Sequence, residues 1–263
     1  MEINYEDRSD LRISGASSTS GGSYNAVSIS GSGKVEGDLD CNDMHTSGFS
    51  RINGNVKAVF MSVSGSSKIS GDVETETIKT SGSSELEGNL LAKEVKCSGS
   101  SEVKGDIKAE YVKVSGIMKA GGNIHADEIK TSGSLKVGGD CEANKFRTSG
   151  IFNIDGLLNS DEIDVSVSGN SKVKEMGGEK ITIKKSDRGS DFIGKLLSSF
   201  IMRFGSVETE IIEGDDIYLE YTTAKIVRGR NIVIGAGCDI DKVEFTESLD
   251  ILEDAVVKEK NKL

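Results

Sequence analysis

A Ser-Gly pair returns at a fixed 17-residue period through the middle of this chain, and this repeat constrains the fold more than any other feature. The serines of these pairs are Ser30, Ser47, Ser64, Ser81, Ser98, Ser115, Ser132 and Ser149. With this serine as position 3 of the unit, position 10 is always glycine, and eight units cover residues 28–163. A fixed period is typical of repeat proteins, in which each unit buries its apolar residues against its neighbours.

The apolar residues inside each unit follow a strand pattern. Positions 8, 12 and 17 are apolar, and position 14 is small. Positions 8, 10, 12 and 14 alternate as the inward face of a strand should, and the alternation shifts after position 14, which predicts a corner. Seventeen extended residues can close into one coil that pairs with the next at roughly 4.8 Å. The sequence therefore predicts an all-β parallel β-helix, or β-solenoid, with 17-residue coils.

The composition agrees with a strand-rich body that has a thin core. The chain has 263 residues with 32 Gly and no Pro, and only 5% of its residues are aromatic. Proline cannot donate to a β ladder, so its absence favours continuous pairing. A net charge of −11 argues against nucleic acid as a partner. No apolar run is long enough to span a bilayer, and no signal-peptide pattern opens the chain, so we expect a cytoplasmic protein.

The repeat also predicts how the chain is divided. We expect an N-terminal tail over 1–11 and a solenoid over 12–176, in which a degenerate coil at 12–27 precedes the eight regular coils. A linker follows over 177–216, then irregular β coils over 217–257 and a tail over 258–263. Ile13 and Val27 are predicted to point inward in the degenerate coil, which we expect to be the open end used for polymer formation.

One segment of the linker has a helical pattern instead. At 100° per residue, the apolar residues of 191–204 cover about half of a helix circumference. These residues are Phe192, Ile193, Leu196, Leu197, Phe200, Ile201 and Phe204. We interpret this amphipathic helix as a cap that packs on the solenoid; membrane-interface binding and partner docking are the alternatives.

Two rows of polar residues recur on the outside of the coils. Position 1 holds a basic row that could bind an acidic partner, lipid headgroups or another polyanion: Lys79, Lys96, Lys113, Lys130 and Arg147. Glutamates at position 16 compete by neutralising it. Position 11 alternates Asp and Asn from Asp38 to Asp140, which we interpret as a ladder that separates like charges and not as a metal site.

Catalytic motifs are poorly supported. The four cysteines are far apart, with no metal-ligand or redox spacing, and neither His45 nor His125 has a carboxylate at triad spacing. Hexapeptide acyltransferases, which also use β-helices, need an 18-residue coil and a catalytic histidine. We therefore predict no enzymatic activity, no cofactor and no metal.

The coil sequence resembles the bactofilins, the bacterial polymer-forming cytoskeletal proteins. The segments that carry the resemblance are Val103-Lys-Gly-Asp-Ile-Lys-Ala109 and Ile69-Ser-Gly-Asp-Val73. The resemblance implies a right-handed β-helix and self-assembly without nucleotide. The inserted amphipathic helix predicted at 191–204 is a departure from the family pattern.

The function expected on this basis is a scaffold that forms filaments or end-joined oligomers and positions other proteins in a bacterial cell. Its partners would be itself and other bacterial scaffold or envelope proteins, with peripheral contact at the inner face of the cell membrane as an option. The alternative is a β-solenoid binding module for a protein or a polysaccharide that does not polymerise.

Overall fold

A computed structural model describes residues 8–186, 205–252 and 254–263. These residues form 21 strands and contain no helix. The chain is divided into two compact units, which are described in turn. Unit 1 comprises the residues up to Asp127 together with Lys136–Gly138, and unit 2 comprises Glu128–Leu135 together with the residues from Gly139 onward.

Unit 1 is a parallel β-solenoid made of one long and one short strand in each regular coil. Its strands are β1 Leu11–Ile13, β2 Ala16–Ile29, β3 Ser32–Thr46, β4 Phe49–Asn53, β5 Val56–Val63, β6 Ser66–Ile69, β7 Val73–Thr80, β8 Ser83–Leu86, β9 Leu90–Cys97, β10 Ser100–Val103, β11 Ile107–Val114 and β12 Ile117–Ala120. Strands β13 Ile124–Thr131 and β14 Ser134–Val137 contribute residues to both units.

The core of unit 1 is a set of apolar columns along the coil stack. One column consists of successive cross-strand partners, each one 17-residue coil after the last: Leu39, Val56, Val73, Leu90 and Ile107. Each is at most 2% exposed, so the predicted coil length and inward positions are confirmed. The predicted corner after position 14 is present as well, because positions 15 and 16 both point outward in each coil.

The Ser-Gly pair has a steric cause. A Cβ atom on Gly65 would collide with the backbone carbonyl oxygen of Gly48 in the preceding coil, and the same holds for Gly82 above Gly65. Glycine is therefore required at position 4, where the backbones of neighbouring coils approach closely.

Unit 2 is also a parallel β-solenoid, with coils of varying length. Its further strands are β15 Cys141–Thr148, β16 Ile151–Val167, β17 Ser171–Lys185, β18 Val207–Leu219, β19 Thr222–Ile234, β20 Asp239–Ile251 and β21 Val256–Lys262. The offset in residue number between partners is 17 for Cys141 and Leu158, 18 for Leu158 and Met176, and 15 for Ile217 and Ile232. These inward residues stay buried although the coil length changes.

Several predicted boundaries were wrong. Gly177 and Gly178 do not begin a linker but lie inside β17, and β18 begins at Val207. The change from 17- to 18-residue coils hid this strand from the repeat pattern. Residues 258–263 are not a tail, because β21 pairs with β20 at an offset of 17. Leu11, assigned to the N-terminal tail, begins β1. The helix predicted at 191–204 lies outside the described residues.

Candidate assembly and binding surfaces

Three lysines of the basic row form one column in unit 1. Lys79, Lys96 and Lys113 are cross-strand partners on consecutive coils. Lys96 Nζ lies 2.6 Å from the carboxylate of Glu94, and Lys79 Nζ lies 5.1 Å from the ring centroid of Phe60. Lys113 is exposed and has no ion pair with the described residues. One of the three amines is therefore neutralised, and Lys113 is the one most available to an anionic partner.

In unit 2 one of the two members of the basic row, Arg147, is compensated. The Arg147 guanidinium lies 3.5 Å from Glu128 and 3.3 Å from Glu162. Glu162 also approaches Lys145 at 3.8 Å. Lys130 is exposed. Because Arg147 already contacts two carboxylates, its charge offers little attraction to a further anion.

The first coil, which the sequence predicts as the polymer end, has a mostly polar exposed surface, although Ile13 and Val27 point inward as apolar residues. Ile13 is 4% exposed and Val27 is fully buried, because β1 covers the end of β2 with Leu11 beside Val27. The remaining part of β2, residues 16–24, is rich in Ser and Gly and mostly exposed. This end therefore offers backbone groups for pairing but few apolar side chains.

The last coil of unit 2, in contrast to the first coil of unit 1, exposes several apolar side chains. Leu252, Val256 and Leu263 are 48%, 54% and 68% exposed. Strand β21 pairs with β20 along one edge, and no strand among the described residues pairs with its other edge. The sequence held a signal for this coil, because Val257 follows Ile240 at the regular offset of 17.

A ladder of buried hydroxyls inside unit 1 was not anticipated. The Oγ atoms of Ser50 and Ser67, one coil apart, lie 2.8 Å from each other. Ser84 and Ser101 repeat this contact at 2.9 Å on the next coils. These serines occupy position 6, which is inward and holds Met118 in a later coil. The signal was present in the sequence as strand alternation between positions 2 and 8.

The Asp/Asn row at position 11 caps the corners of the coils. Oδ1 of Asp38 accepts the backbone N–H of Asn55 at 2.7 Å, and Oδ1 of Asn55 accepts that of Asp72 at 2.9 Å. Asp72 accepts the Asn89 N–H in the same way at 2.7 Å. The predicted amide-to-carboxylate bond also occurs between Asn89 and Asp72, at 3.2 Å. The main partner of each side chain is thus the backbone of the following coil.

A four-membered charge cluster lies on the face formed by the short strands. Lys68 lies 3.1 Å from Glu85 and 2.8 Å from Glu87, and Lys104 lies 3.1 Å from Glu85 and 3.5 Å from Glu87. Hydrogen bonds from Lys68 lower the pKa of both glutamates. The same bonds raise the pKa of Lys68. Exposed pairs of this kind give charge compensation and little stability.

The buried thiols are poor nucleophiles. Burial raises the pKa to about 12 for Cys41 and Cys141, and to about 11 for Cys97 and Cys238. A thiol must ionise to act as a nucleophile or metal ligand, so these side chains act as small apolar residues. Among the described residues there is no cluster of three His, Cys, Asp or Glu side chains that could hold a metal ion.

The apolar helix positions at Phe192, Ile193, Leu196, Leu197, Phe200, Ile201 and Phe204 lie outside the residues that the structure describes. Within the described residues, no helix is long and apolar enough to cross a membrane.

The fold of each unit places the molecule among the parallel β-solenoids. Residues 2–91 match the family model of bactofilin, described as polymer-forming cytoskeletal, which confirms the resemblance inferred from the repeat for this segment.

Two curated proteins of Bacillus subtilis (strain 168) are similar to parts of this chain. The uncharacterized protein YhbF is 37% identical over 93 residues, which are 35% of this chain and 35% of YhbF. The uncharacterized protein YhbE is 35% identical over 98 residues, which are 36% of this chain and 38% of YhbE. The chain thus spans little more than a third of these relatives, and no solved structure matches it at a significant level.

Proposed function

We propose that this protein is a non-enzymatic structural scaffold that joins end to end, without nucleotide, into filaments or oligomers. The match of residues 2–91 to a family described as polymer-forming cytoskeletal supports this function. The coils would wind in a right-handed sense, the hand strongly favoured by parallel crossover connections.

The edge of β21 that no strand of the described residues pairs with is the observation that carries the proposal. An unpaired strand edge is a template for pairing with another chain, and native proteins usually block such edges with charge or proline. The strand itself carries Lys258, Lys260 and Lys262. Its coil also has three exposed apolar side chains, Leu252, Val256 and Leu263, so the edge is only partly blocked. Joining through this coil would bury them and satisfy the backbone groups. The exposed apolar side chains favour the last coil over the coil of Ile13 and Val27 as the joining end.

Negative-stain microscopy of the full chain without nucleotide tests this function. We expect elongated assemblies from the wild type and their loss in Val256→Lys, because the change removes an exposed apolar side chain of the joining coil and adds a fourth lysine to β21. Ile117→Lys is the matched control, since Ile117 is also exposed, at 49%, but lies on the side of a coil. A wild-type protein that stays strictly monomeric at high concentration and moderate salt would refute the proposal.

The scaffold would act in the bacterial cytoplasm and position scaffold or envelope proteins through the basic row. Lys113 supports this role in unit 1 because its charge is uncompensated by the described residues. Nucleic acid is a poor partner for a chain of charge −11. Charge reversal in Lys113→Glu should weaken binding of an acidic partner, whereas Arg147→Glu should change it less.

The segment 191–204 would cap the solenoid, with peripheral membrane contact as the alternative. Replacing Leu196 and Phe200 by Ser should lower the melting temperature if they pack against the protein. If the helix lies in a membrane interface, the double variant should keep its melting temperature and lose sedimentation with anionic liposomes.

The second candidate is a solenoid that binds a protein or a polysaccharide and does not polymerise. The exposed column of Lys79, Lys96 and Lys113 favours it, because amines at coil spacing suit an extended anion. A monomer that binds such a ligand with full affinity would support this function over the scaffold.

A further inference from the structure

A phenyl ring and a guanidinium stand next to each other on the outer face of β4. Phe49 is 70% exposed, and Arg51 is exposed two residues later on the same side of the strand. Arg51 has no ion pair with the described residues. We refer to these two side chains as the phenyl-guanidinium patch. Exposed aromatic and arginine side chains are the residues most enriched where protein interfaces gain their energy.

The neighbours of Arg51 leave its charge uncompensated. Arg51 is the cross-strand partner of Lys34 on one side and of Lys68 on the other. Lys34 is paired with Glu36, and Lys68 with Glu85 at 3.1 Å. The nearby glutamates are therefore engaged with the lysines, and Arg51 presents a positive charge between two other cations.

A groove on another side of the same unit has the complementary chemistry. It has a volume of about 590 Å³, and its lining includes Asp38, Asp72 and Leu91. Oδ1 of each aspartate is engaged by a backbone N–H, of Asn55 and Asn89 respectively, and neither carboxylate has a cationic partner among the described residues. Leu91 is 48% exposed. We refer to this surface as the acidic groove.

The other acids in the groove are already neutralised. Asp40 lies 3.0 Å from Arg8, and Glu74 lies 3.0 Å from Lys57. Asp38 and Asp72 are thus the carboxylates left to attract a cation. They lie two coils apart, which is about 9.6 Å at the usual spacing of paired strands.

We propose that the phenyl-guanidinium patch of one copy docks in the acidic groove of a second copy, so that the two solenoids lie side by side. Arg51 would bind the carboxylate of Asp72, with Asp38 adding negative charge two coils away, and Phe49 would cover Leu91. Both surfaces run along the stacking direction of the coils. Their charged side chains therefore have the same spacing from coil to coil, and those of one copy can face those of the other. Arginine suits this role because its planar fork binds carboxylates with defined geometry.

The contact is heterologous because its two surfaces lie on different strands of the coil. Each docked copy keeps one surface free, so copies can be added side by side without closure. This lateral contact is distinct from the end contact at β21, and it goes beyond the scaffold function proposed above. Lateral contacts set the width of an assembly, whereas end contacts set its length.

The repeat provides variants that fit the fold. Arg51→Glu places at position 7 the residue found there in later coils, Glu85 and Glu102. The double variant Asp38→Asn with Asp72→Asn places at position 11 the residue found at Asn55 and Asn89, and it keeps the oxygen that accepts the backbone N–H. Lys119→Glu is the matched control, because it makes the same charge change at position 7 of another coil.

Full-length proteins are compared by negative stain for assembly width and by sedimentation velocity for side-by-side pairs, with melting curves to verify folding. We expect wild type and Lys119→Glu to associate laterally, and Arg51→Glu and the double Asn variant each to fail. Mixing those two should restore pairs and nothing wider, since the first retains the groove and the second retains the patch. High salt should weaken the contact.

Lateral association that persists in Arg51→Glu, or a mixture that does not pair, would overturn the proposal. A wild type without side-by-side contacts would overturn it as well. Val256→Lys separates this result from the end-joining proposal, because that change should shorten assemblies and leave the side-by-side pairs intact.

Discussion

The hydroxyl groups of Thr80 and Ser84 lie 3.3 Å apart inside unit 1. Ser84 also contacts Ser101 of the next coil at 2.9 Å. Thr46, Ser50 and Ser67 form the same arrangement, with distances of 3.4 Å and 2.8 Å. Because these buried hydroxyls satisfy one another, the thin core carries polar atoms at small cost.

Thr131 in unit 2 lacks such a partner, since Leu135 stands four residues later where Ser84 follows Thr80. Its Oγ1 is the one buried side-chain N or O atom without a hydrogen bond in the described part of the chain. Thr131→Val keeps the shape and removes the unsatisfied oxygen. We expect the free energy of unfolding to rise by about 1 kcal/mol, measured from urea midpoints. Thr80→Val should lower it, and a destabilised Thr131→Val would contradict this account.

Ile107 tests the inward columns. It is 1% exposed and pairs with Leu90. Ile107→Asp should lower the free energy of unfolding by several kcal/mol, because a carboxylate there has no partner. Burial should raise the pKa of this new carboxyl above its unfolded value, so the loss should grow as the pH rises. Melting curves near neutral and at mildly acidic pH check both points, and a wild-type melting temperature would refute the assigned register.

Two variants of Asp72, in the Asp/Asn row at position 11, can distinguish the contribution of its hydrogen bond from that of its charge. Asp72→Asn retains an oxygen for the Asn89 N–H and should leave stability nearly unchanged, as Asn already serves at Asn55. Asp72→Ala removes the acceptor and should cost about 1 kcal/mol. Equilibrium unfolding of the two variants checks the difference, and equal losses would show that charge is what matters at this position.

The charge cluster predicts a weak dependence on acid. Because Lys68 lowers the pKa of Glu85 and Glu87 in the folded protein, their contribution is present above the unfolded pKa. It is lost as the pH falls through the lowered folded values. The double change Glu85→Gln and Glu87→Gln should reduce the melting temperature slightly near neutral pH and not at strongly acidic pH. High salt should remove the difference, because these groups are solvent-exposed.

The regular coils could be predicted because their period and alternation are both visible in the sequence. Leu39, Val56 and Val73 share one position of one repeat, and each contacts its neighbour as expected. The coils of 18 and 15 residues in unit 2 could not be recognised from the 17-residue repeat. They keep the alternation of inward and outward residues but not the period. Ile181 and Ile212 illustrate this, as both are buried in the segment 177–216 that the sequence predicts as a linker.

The surfaces were harder to predict than the core. The basic row was visible as a column of like residues, but its neutralisation depends on which glutamates reach each amine. The patch at Phe49 and Arg51 was missed because serines hold position 5 in five of the eight coils, and the scattered departures at Phe49, Ile117 and Ile151 give no regular pattern. Of the exposed residues of the last coil, only Leu263 lies in the segment 258–263 that the sequence predicts as a tail, whereas Leu252 and Val256 lie in a predicted coil without a regular period.

The Asp/Asn ladder also makes coils with Asp alternate with coils with Asn along unit 1. Asp38, Asp72 and Asp106 occupy every second coil, with Asn55 and Asn89 between them. Removing a single 17-residue coil that carries Asn would set two carboxylates on adjacent coils, roughly 4.8 Å apart, whereas removing two neighbouring coils would leave the order intact. A step of two coils, about 9.6 Å, is thus the smallest change in length that keeps Asp and Asn alternating along the whole ladder.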